Sequence, residues 1–324
     1  MIDLYDIIII GGGPIGITCA IEAKKAGLKY LVLEKGVLVN SVYHFPTNMT
    51  FFSTSQLLEI GDIPFIAHGD KPTRREALEY FRRVVQSWNL NLHVYEKVNE
   101  VFTDKNRFTV KTAKAIYHSV FLIMATGFYD TPNLMNIPGE DLPKVKHYYD
   151  EPHPYINQKI VVVGAGNSAA DVALETYLKG SDVTMVIREP DFKEGIKYWI
   201  RPNILNRIKE GSIKAYFNSR LLEIHEKSVL IETEKDRITI ENDFVLAMTG
   251  YKPDYPFLKK IGIHISDDET LLPEHNPETL ETNIKNIYLA GVVLGGMNTG
   301  RWFIENAREH ADRIIGDIKK KRLS

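Results

Sequence analysis

Apolar runs and glycine turns alternate at the start of the chain in the order typical of a βαβ unit. The wholly apolar run 7–10 predicts a buried strand, and Gly11-Gly12-Gly13-Pro14-Ile15-Gly16 follows it directly. The predicted landmarks are a strand, a helix, a closing glycine, a second strand and an acid: 5–10, 14–26, Gly27, 30–33 and Glu34. We call residues 11–16 the first fingerprint.

The middle of the chain repeats this pattern. Gly164-Ala165-Gly166-Asn167-Ser168-Ala169, the second fingerprint, follows an apolar run and opens a helical one. The predicted landmarks are a strand, a helix, a closing glycine, a second strand and a terminal base: 160–163, 168–179, Gly180, 183–187 and Arg188. Two units that each place a pyrophosphate at a helix N-terminus predict two bound dinucleotides.

Two related segments, 120–127 and 243–250, bracket the second unit, and each is an apolar strand that runs into a Thr-Gly turn. A chain that leaves the first domain at one segment and re-enters it at the other carries the second domain as an insertion. We therefore predict an α/β fold with two Rossmann-like, three-layer domains. The first is discontinuous, at 1–125 and 245–324, and the inserted domain covers 126–244.

The rest of the chain is less regular. Residues 36–73 are rich in turn formers and aromatic residues and predict a long functional loop. A capping box at 73–76 predicts the start of a helix. Three short strands of an antiparallel piece are predicted at 92–95, 108–112 and 115–117. A late strand with its turn is predicted at 286–292, and a C-terminal helix at 301–319.

Charge and composition exclude several classes of protein. A formal net charge of −2 argues against nucleic acid as a partner, and the apolar run 7–10 lacks the flanks of a signal peptide or the length of a membrane span. The single cysteine, Cys19, excludes an internal dithiol and favours a cytoplasmic setting. Its helical spacing from Gly16 predicts a buried, inert thiol that faces the sheet.

The first fingerprint suits FAD. Gly11 permits the tight turn, Gly13 lets the backbone approach a pyrophosphate, and Gly16 lets the helix pack closely on its strand. Glu34 stands where a carboxylate accepts hydrogen bonds from a ribose.

The second fingerprint suits NADPH. Arg188 follows its second strand where the first unit has an acid, and a cation there favours the 2′-phosphate of NADP. NADH stays the alternative, because Asp182 and Glu189 lie nearby. Hydride would pass from nicotinamide to flavin, a step that needs orientation of two cofactors and no protein acid or base.

The two fingerprints, with Ala125-Thr126-Gly127, Thr249-Gly250 and Ala290-Gly291, resemble the two-domain flavoprotein reductases related to thioredoxin reductase. Within that group, segments 40–55, 58–62, 71–74 and 197–200 are similar to the bacillithiol-disulfide reductase family. The resemblance spans the chain. It implies FAD, NADPH, a cytoplasmic homo-oligomer and the reduction of an oxidised low-molecular-weight thiol.

The fingerprints and the resemblance together indicate the cofactor contacts. The residues expected at FAD are Gly11, Gly13, Pro14, Ile15, Gly16, Glu34, Lys35, Tyr43, Thr47, Asn48, Val98, Thr126, Gly127, Gly291 and Val292. Those expected at NADP are Gly164, Gly166, Asn167, Ser168, Ala169, Arg188, Thr249 and Gly250. No metal is expected.

Two departures from the family pattern bear on mechanism. Bacillithiol-type members carry a cysteine inside the first fingerprint where this chain has Ile15, which cannot form a mixed disulfide. Val292 stands where the wider group has an aspartate at the flavin ribityl chain, so backbone groups would have to serve there. The catalytic residue is left unassigned.

Three hypotheses for the function stay open. Electrons from the flavin could pass directly to a small disulfide, or to ferredoxin, flavodoxin or a quinone, and a slow flavin-based redox sensor is the third. The chain has no Cys-x-x-Cys, which excludes the thioredoxin reductase mechanism. A glycine typical of flavin monooxygenases is missing between Gly139 and His147.

Overall fold

The computed structural model describes residues 4–104 and 107–323. Its helices are α1 (Pro14–Lys25), α2 (Asn40–Tyr43), α3 (Arg74–Ser87), α4 (Asn167–Leu178), α5 (Arg201–Lys209), α6 (Tyr255–Ile261), α7 (Ile304–Ala307) and α8 (His310–Leu323). Its strands are β1 (Leu4–Ile10), β2 (Tyr30–Leu33), β3 (Leu92–His93), β4 (Val98–Asp104), β5 (Arg107–Thr112), β6 (Ile116–Met124), β7 (Val145–Lys146), β8 (Lys159–Val163), β9 (Asp182–Val186), β10 (Lys214–Tyr216), β11 (Arg220–Ile224), β12 (Ser228–Glu232), β13 (Arg237–Glu241), β14 (Phe244–Ala247) and β15 (Ile287–Leu289). The predicted α/β class is confirmed.

The first of two compact units runs up to Thr131 and resumes at Tyr251. Its sheet has the order β3-β2-β1-β6-β5-β4, with β15 also paired to β6. The pairs on the β1 side and the β15 pair are parallel, whereas β4, β5 and β6 pair antiparallel. Ile7, Ile8 and Ile9 are fully buried, as expected for a central parallel strand covered on both faces.

The second unit covers Pro132–Gly250. Its parallel sheet has the order β10-β9-β8-β14-β7, and β11, β12 and β13 form a separate antiparallel sheet. β14 pairs with β8 and β7, so the strand that the expected boundary at 244/245 would divide lies wholly in this unit. The unit ends at the Thr-Gly turn that follows β14.

β6 is one strand where the sequence predicts two pieces, 115–117 and 120–127. Its first half pairs with β5 and its second half with β15, while β1 lies along its other edge. The change of partner along one edge explains the break in the polar and apolar pattern. β3, expected in the antiparallel piece, instead pairs parallel with β2, and β4 was not predicted.

Residues 36–73 contain α2 and a 3₁₀ turn at Gln56–Leu58 where the sequence predicts a continuous loop. Val42, Phe51 and Leu58 from this segment share a buried cluster with Tyr80 and Phe81 of α3. The segment is therefore folded against α3 by its apolar side chains.

The capping box at the start of α3 is confirmed. Thr73 Oγ1 accepts from the N–H of Glu76 at 3.3 Å, and the Glu76 carboxylate accepts from the N–H of Thr73 at 2.8 Å. At the other end of the chain, the predicted helix 301–319 is divided into α7 and α8. Among the described residues, no helix combines the length and apolar character needed to cross a membrane.

Candidate functional site

The first fingerprint forms a tight turn between β1 and α1. Gly11 has a φ of +112°, which L side chains rarely adopt, and its N–H donates to the carbonyl of Leu33 at 2.9 Å. A Cβ at Gly11 would overlap the carbonyl oxygen of Ala125. α1 has no acid in its first turn and no side-chain cap at Gly13, so its first N–H groups can face an anion.

Glu34 fastens this turn from the end of β2. Its Oε2 accepts from the N–H of Gly12 at 2.7 Å, and its Oε1 accepts from the N–H of Gly36 at 2.9 Å. The residue is 5% exposed, and burial raises the pKa of its carboxyl against the opposing effect of the two N–H donors. The acid expected at a ribose therefore also holds the fingerprint in shape.

A cavity of about 420 Å³ adjoins the turn, within the range of small-molecule sites. The residues expected at FAD that line it are Gly11, Gly13, Pro14, Ile15, Glu34, Lys35, Val98, Thr126, Gly127, Gly291 and Val292. The fingerprint, the end of β2 and the turn after β15 therefore meet at one cavity.

Four residues expected at FAD do not line this cavity: Gly16, Tyr43, Thr47 and Asn48. Gly16 lies behind the turn, where a Cβ would overlap the carbonyl oxygen of Gly11. Tyr43 is 46% exposed and its carbonyl accepts from Arg74 Nε at 3.0 Å, while Thr47 and Asn48 are exposed in the turn after α2. Contact of these four residues with FAD stays a prediction.

Sequence reasoning missed several residues that line the cavity, among them Asn40, Ser41, Phe45, Tyr129, Asp130 and Phe303. The first three lie in the stretch of turn formers and aromatic residues that the sequence marks as functional. Asp130 carried no local signal. Its carboxylate lies 2.8 Å from Lys35 Nζ, so an ion pair joins the end of β2 to the segment after β6.

The lining fits an oxygen-rich dinucleotide. Thr126 Oγ1 is buried and has no hydrogen-bond partner among the described residues, and a buried hydroxyl of this kind needs one. No described atom lies within 4 Å of a Cβ built on Gly13, which leaves room for a ligand at the start of α1. The hydroxyl and the helix N-terminus could both supply donors to the oxygen atoms of a dinucleotide.

A buried histidine supports the turn after β15. The Gly291 N–H donates to His310 Nδ1 at 3.1 Å, and a Cβ on Gly291 would lie 3.2 Å from Ile15 Cγ1. His310 is 1% exposed, and burial lowers the pKa of its imidazole to about 4. The neutral ring therefore accepts this hydrogen bond at ordinary pH, and no sequence motif pointed to it.

Cys19 is buried, as predicted. It is 0% exposed on α1, and burial raises the pKa of its thiol to about 12, with the charges of Glu22 and Asp312 adding to the rise. A thiol held in this way does not supply the thiolate that attacks a disulfide. Within residues 4–104 and 107–323, no group of three or more His, Cys, Asp or Glu side chains is placed to hold a metal ion.

The second fingerprint has the same turn with different partners. Gly164 has a φ of +132°, and its N–H donates to the carbonyl of Val186 at 3.1 Å. The Asn167 side chain donates to the Gly195 carbonyl at 2.9 Å and accepts from the N–H of Lys197 at 2.8 Å. The side chain of this expected NADP contact is therefore occupied by a neighbouring segment.

The other residues expected at NADP are placed as follows. Gly166 is the N-cap of α4, Ser168 is exposed in its first turn, and Ala169 is fully buried. At the end of β14, Thr249 Oγ1 donates to the Asn133 carbonyl at 2.6 Å, and the Gly250 carbonyl accepts from Asn133 N at 2.9 Å. Contact of these residues with the nucleotide stays a prediction.

Strand register corrects the position assigned to Arg188. Ile10 pairs with Leu33 in the first sheet and Val163 pairs with Val186 in the second, so β9 ends at Val186, one residue earlier than predicted. The counterpart of Glu34 is therefore the residue after Val186, the buried Ile187. Arg188 corresponds to Lys35 instead, and its side chain is 82% exposed, 3.1 Å from Glu189.

Known proteins match the chain along almost its whole length. A family model described as "Pyridine nucleotide-disulphide oxidoreductase" matches residues 8–291. Bacilliredoxin reductase Bdr of Bacillus subtilis (strain 168) is 46% identical over 316 residues, which cover 97% of each chain. The solved structure of bacillithiol disulfide reductase Bdr from Staphylococcus aureus is 43% identical with a TM-score of 0.96, covering 99% of this chain and 100% of that one. The corresponding Bacillus cereus structure is 42% identical with a TM-score of 0.96, covering 98% and 100%.

Proposed function

The chain belongs to the pyridine nucleotide-disulphide oxidoreductase family, and from this premise we propose that it reduces bacillithiol disulfide with electrons from NADPH. It is a flavoprotein oxidoreductase with FAD and NADPH as cofactors. The observation that carries the proposal is the match, at 43% identity over nearly the full chain, to a structure named as a bacillithiol disulfide reductase.

We place FAD in the cavity beside the first fingerprint. The N–H groups at the start of α1 would face its pyrophosphate, and Glu34 would accept from a ribose while it keeps its bond to Gly12. Bound FAD supplies the chemistry that accepts a hydride and passes electrons on. The His310 ring would hold Gly291 in place against Ile15 at the cavity wall.

We place NADPH at the second fingerprint, with its pyrophosphate at the start of α4. The exposed guanidinium of Arg188 would pair with the 2′-phosphate, since it can turn toward the ligand without leaving a buried site. NADH lacks that phosphate and would bind more weakly.

The reaction needs no thiol from this chain. NADPH and one proton supply the two electrons and two protons that a disulfide requires: its S–S bond breaks, two thiols form, and NADP⁺ is released. Among the described residues the cavity is lined by Ile15 and no cysteine, and Cys19 is buried with a raised pKa. We therefore propose that no residue of this chain forms a mixed disulfide with the acceptor, and that bound FAD would supply the electrons without a protein thiol.

The test is anaerobic turnover of the FAD-loaded protein. NADPH should bleach the flavin absorbance near-completely, and bacillithiol disulfide should restore it. Parallel assays should offer a bacilliredoxin, ferredoxin, flavodoxin and a quinone. If one of these acceptors reoxidises the flavin and bacillithiol disulfide does not, bacillithiol disulfide is not the substrate. Slow bleaching by both NADPH and NADH would indicate a sensor.

We also propose that the protein is cytoplasmic and homo-oligomeric. A single buried cysteine suits a reducing compartment, because no structural disulfide is required there. Light scattering of the FAD-loaded protein would measure a mass of two or more chains, and the mass of one chain of 37.0 kDa would contradict the oligomer.

A further inference from the structure

The segment from Lys193 to Lys197 is fastened to the second fingerprint at three points. The N–H of Lys193 donates to the Ala165 carbonyl at 3.0 Å. Asn167 completes the attachment with the two side-chain bonds to Gly195 and Lys197 described above. The segment therefore forms a fixed wall at the start of α4.

Lys197 also carries a charge into this wall. Its Nζ lies 2.8 Å from the Asp171 carboxylate, and the lysine side chain is only 12% exposed, against 36% for the aspartate. A lysine this well covered is held in one place, unlike a mobile surface lysine. Its position is set from both ends, because its backbone N–H is bound by Asn167.

Asp171 is the first acid met along α4, and it lies one turn after the helix begins. The N–H groups at a helix N-terminus attract anions, whereas a carboxylate on the next turn repels them. An unpaired charge at Asp171 would therefore oppose the binding of a dinucleotide pyrophosphate. The ion pair removes that opposition before any ligand arrives.

We propose that Lys197 is a positioning residue for the nicotinamide nucleotide: it neutralises Asp171 and orders the wall beside the second fingerprint, so that the pyrophosphate binds at the start of α4. The inference rests on the proposed placement of NADPH. It concerns the pyrophosphate that NADPH and NADH share, so Lys197 acts on both nucleotides, whereas Arg188 distinguishes between them.

The test is calorimetric titration of the FAD-loaded, oxidised protein with NADP⁺ and with NAD⁺. Lys197→Gln should raise both dissociation constants about tenfold at low salt, because an unpaired carboxylate then faces the phosphates. The ratio between the two nucleotides should stay the same. Added salt should shrink the loss, because screening weakens the repulsion.

The double variant Lys197→Gln/Asp171→Asn gives the decisive comparison. Removing the carboxylate should restore both constants to within about twofold of wild type if charge is the cause. A double variant as weak as the single one, or a Lys197→Gln variant that binds like wild type, would overturn the proposal. Wild-type protein that binds neither nucleotide would instead contradict the NADPH assignment.

Two variants keep the test clear of folding effects. Lys197→Arg retains the cation and should bind like wild type. Lys159→Gln removes a different ion pair of the second unit, between Lys159 and Glu241. Lys159 begins β8, whereas the fingerprint follows the end of that strand, so both dissociation constants should stay unchanged. An equal loss in Lys159→Gln would show that general charge, not this pair, governs binding.

Discussion

The two fingerprints have the same turn and different supports. In each, the first glycine has a positive φ and donates to the last residue of the neighbouring strand, at 2.9 Å from Gly11 to Leu33 and 3.1 Å from Gly164 to Val186. The first turn is then fastened by the buried carboxylate of Glu34. The second is fastened through Asn167 to a neighbouring segment.

This difference suits two kinds of ligand. The first site is built from buried groups around a cavity, as expected for a cofactor that stays bound through many turnovers. The second site, as proposed, uses a surface segment and Arg188, which is 82% exposed, as expected for a nucleotide that binds and leaves in each cycle. One turn geometry therefore serves both purposes, and the partners of the turn decide which.

The largest effect is expected at the position where the first fingerprint has Gly16 and the second has the larger Ala169. Gly16→Ala places a Cβ against the Gly11 carbonyl and should lower the free energy of unfolding by about 3 kcal/mol or more, with loss of FAD. The matched change Ala169→Gly should cost only about 1 kcal/mol, the ordinary penalty for glycine in a helix. Denaturant unfolding measures the stability of each variant, and the bound flavin per chain measures its FAD content. Similar losses in the two variants would show that the two fingerprints do not differ in their tolerance of a side chain at this position.

The buried support of the first site should make it sensitive to acid. The pKa of His310 is about 4 in the folded protein, below its ordinary value of 6.5, so the unfolded chain binds the extra proton first. This contribution to stability is complete above pH 6.5 and is lost as pH falls toward 4, by about 2 to 3 kcal/mol.

His310→Asn is the control for that loss, since an amide oxygen can accept from Gly291 and does not titrate. Wild-type and variant unfolding should be compared at pH 7 and pH 4.5, along with retained FAD. The variant should lose less stability than wild type between the two values. Equal losses would assign the acid sensitivity to other groups.

The exposed Arg188 should affect the choice between NADPH and NADH and leave the stability of the fold unchanged. Arg188→Glu should raise the Michaelis constant for NADPH about tenfold or more and leave that for NADH nearly unchanged. Lys227→Glu, at a lysine 86% exposed in the same unit, is the charge-matched control. An equal rise in the Michaelis constants for NADPH and NADH would show that Arg188 does not bind the 2′-phosphate.

The smallest effect is expected at Cys19. Its counterpart after the second fingerprint is Val172, 2% exposed, which indicates that this helix position packs against the sheet. Cys19→Ser should leave turnover of bacillithiol disulfide unchanged and lower the free energy of unfolding by about 1 kcal/mol. Loss of turnover with intact folding would mean that the thiol takes part in the reaction.

Much of this arrangement could be predicted from sequence. Both βαβ units, the capping box at Thr73 and the burial of Cys19 follow from local spacing, because helix periodicity and glycine turns act over a few residues. Asp130 and His310 could not be found in this way, since each reaches the first site only through sheet pairing or helix packing. The sequence predicts two pieces where the structure has the single strand β6, because the partners of β6 change along its length.

The sequence by itself determined the order of strand, glycine turn and helix in both units, because those elements depend on residues close together in the chain. Only the tertiary structure decided which residue follows the second strand of the inserted unit. Register makes Ile187 of the second unit the counterpart of Glu34 in the first and makes Arg188 the counterpart of Lys35, and register depends on pairing between strands distant in sequence. The partners that distinguish the two fingerprints are set by those same long-range contacts.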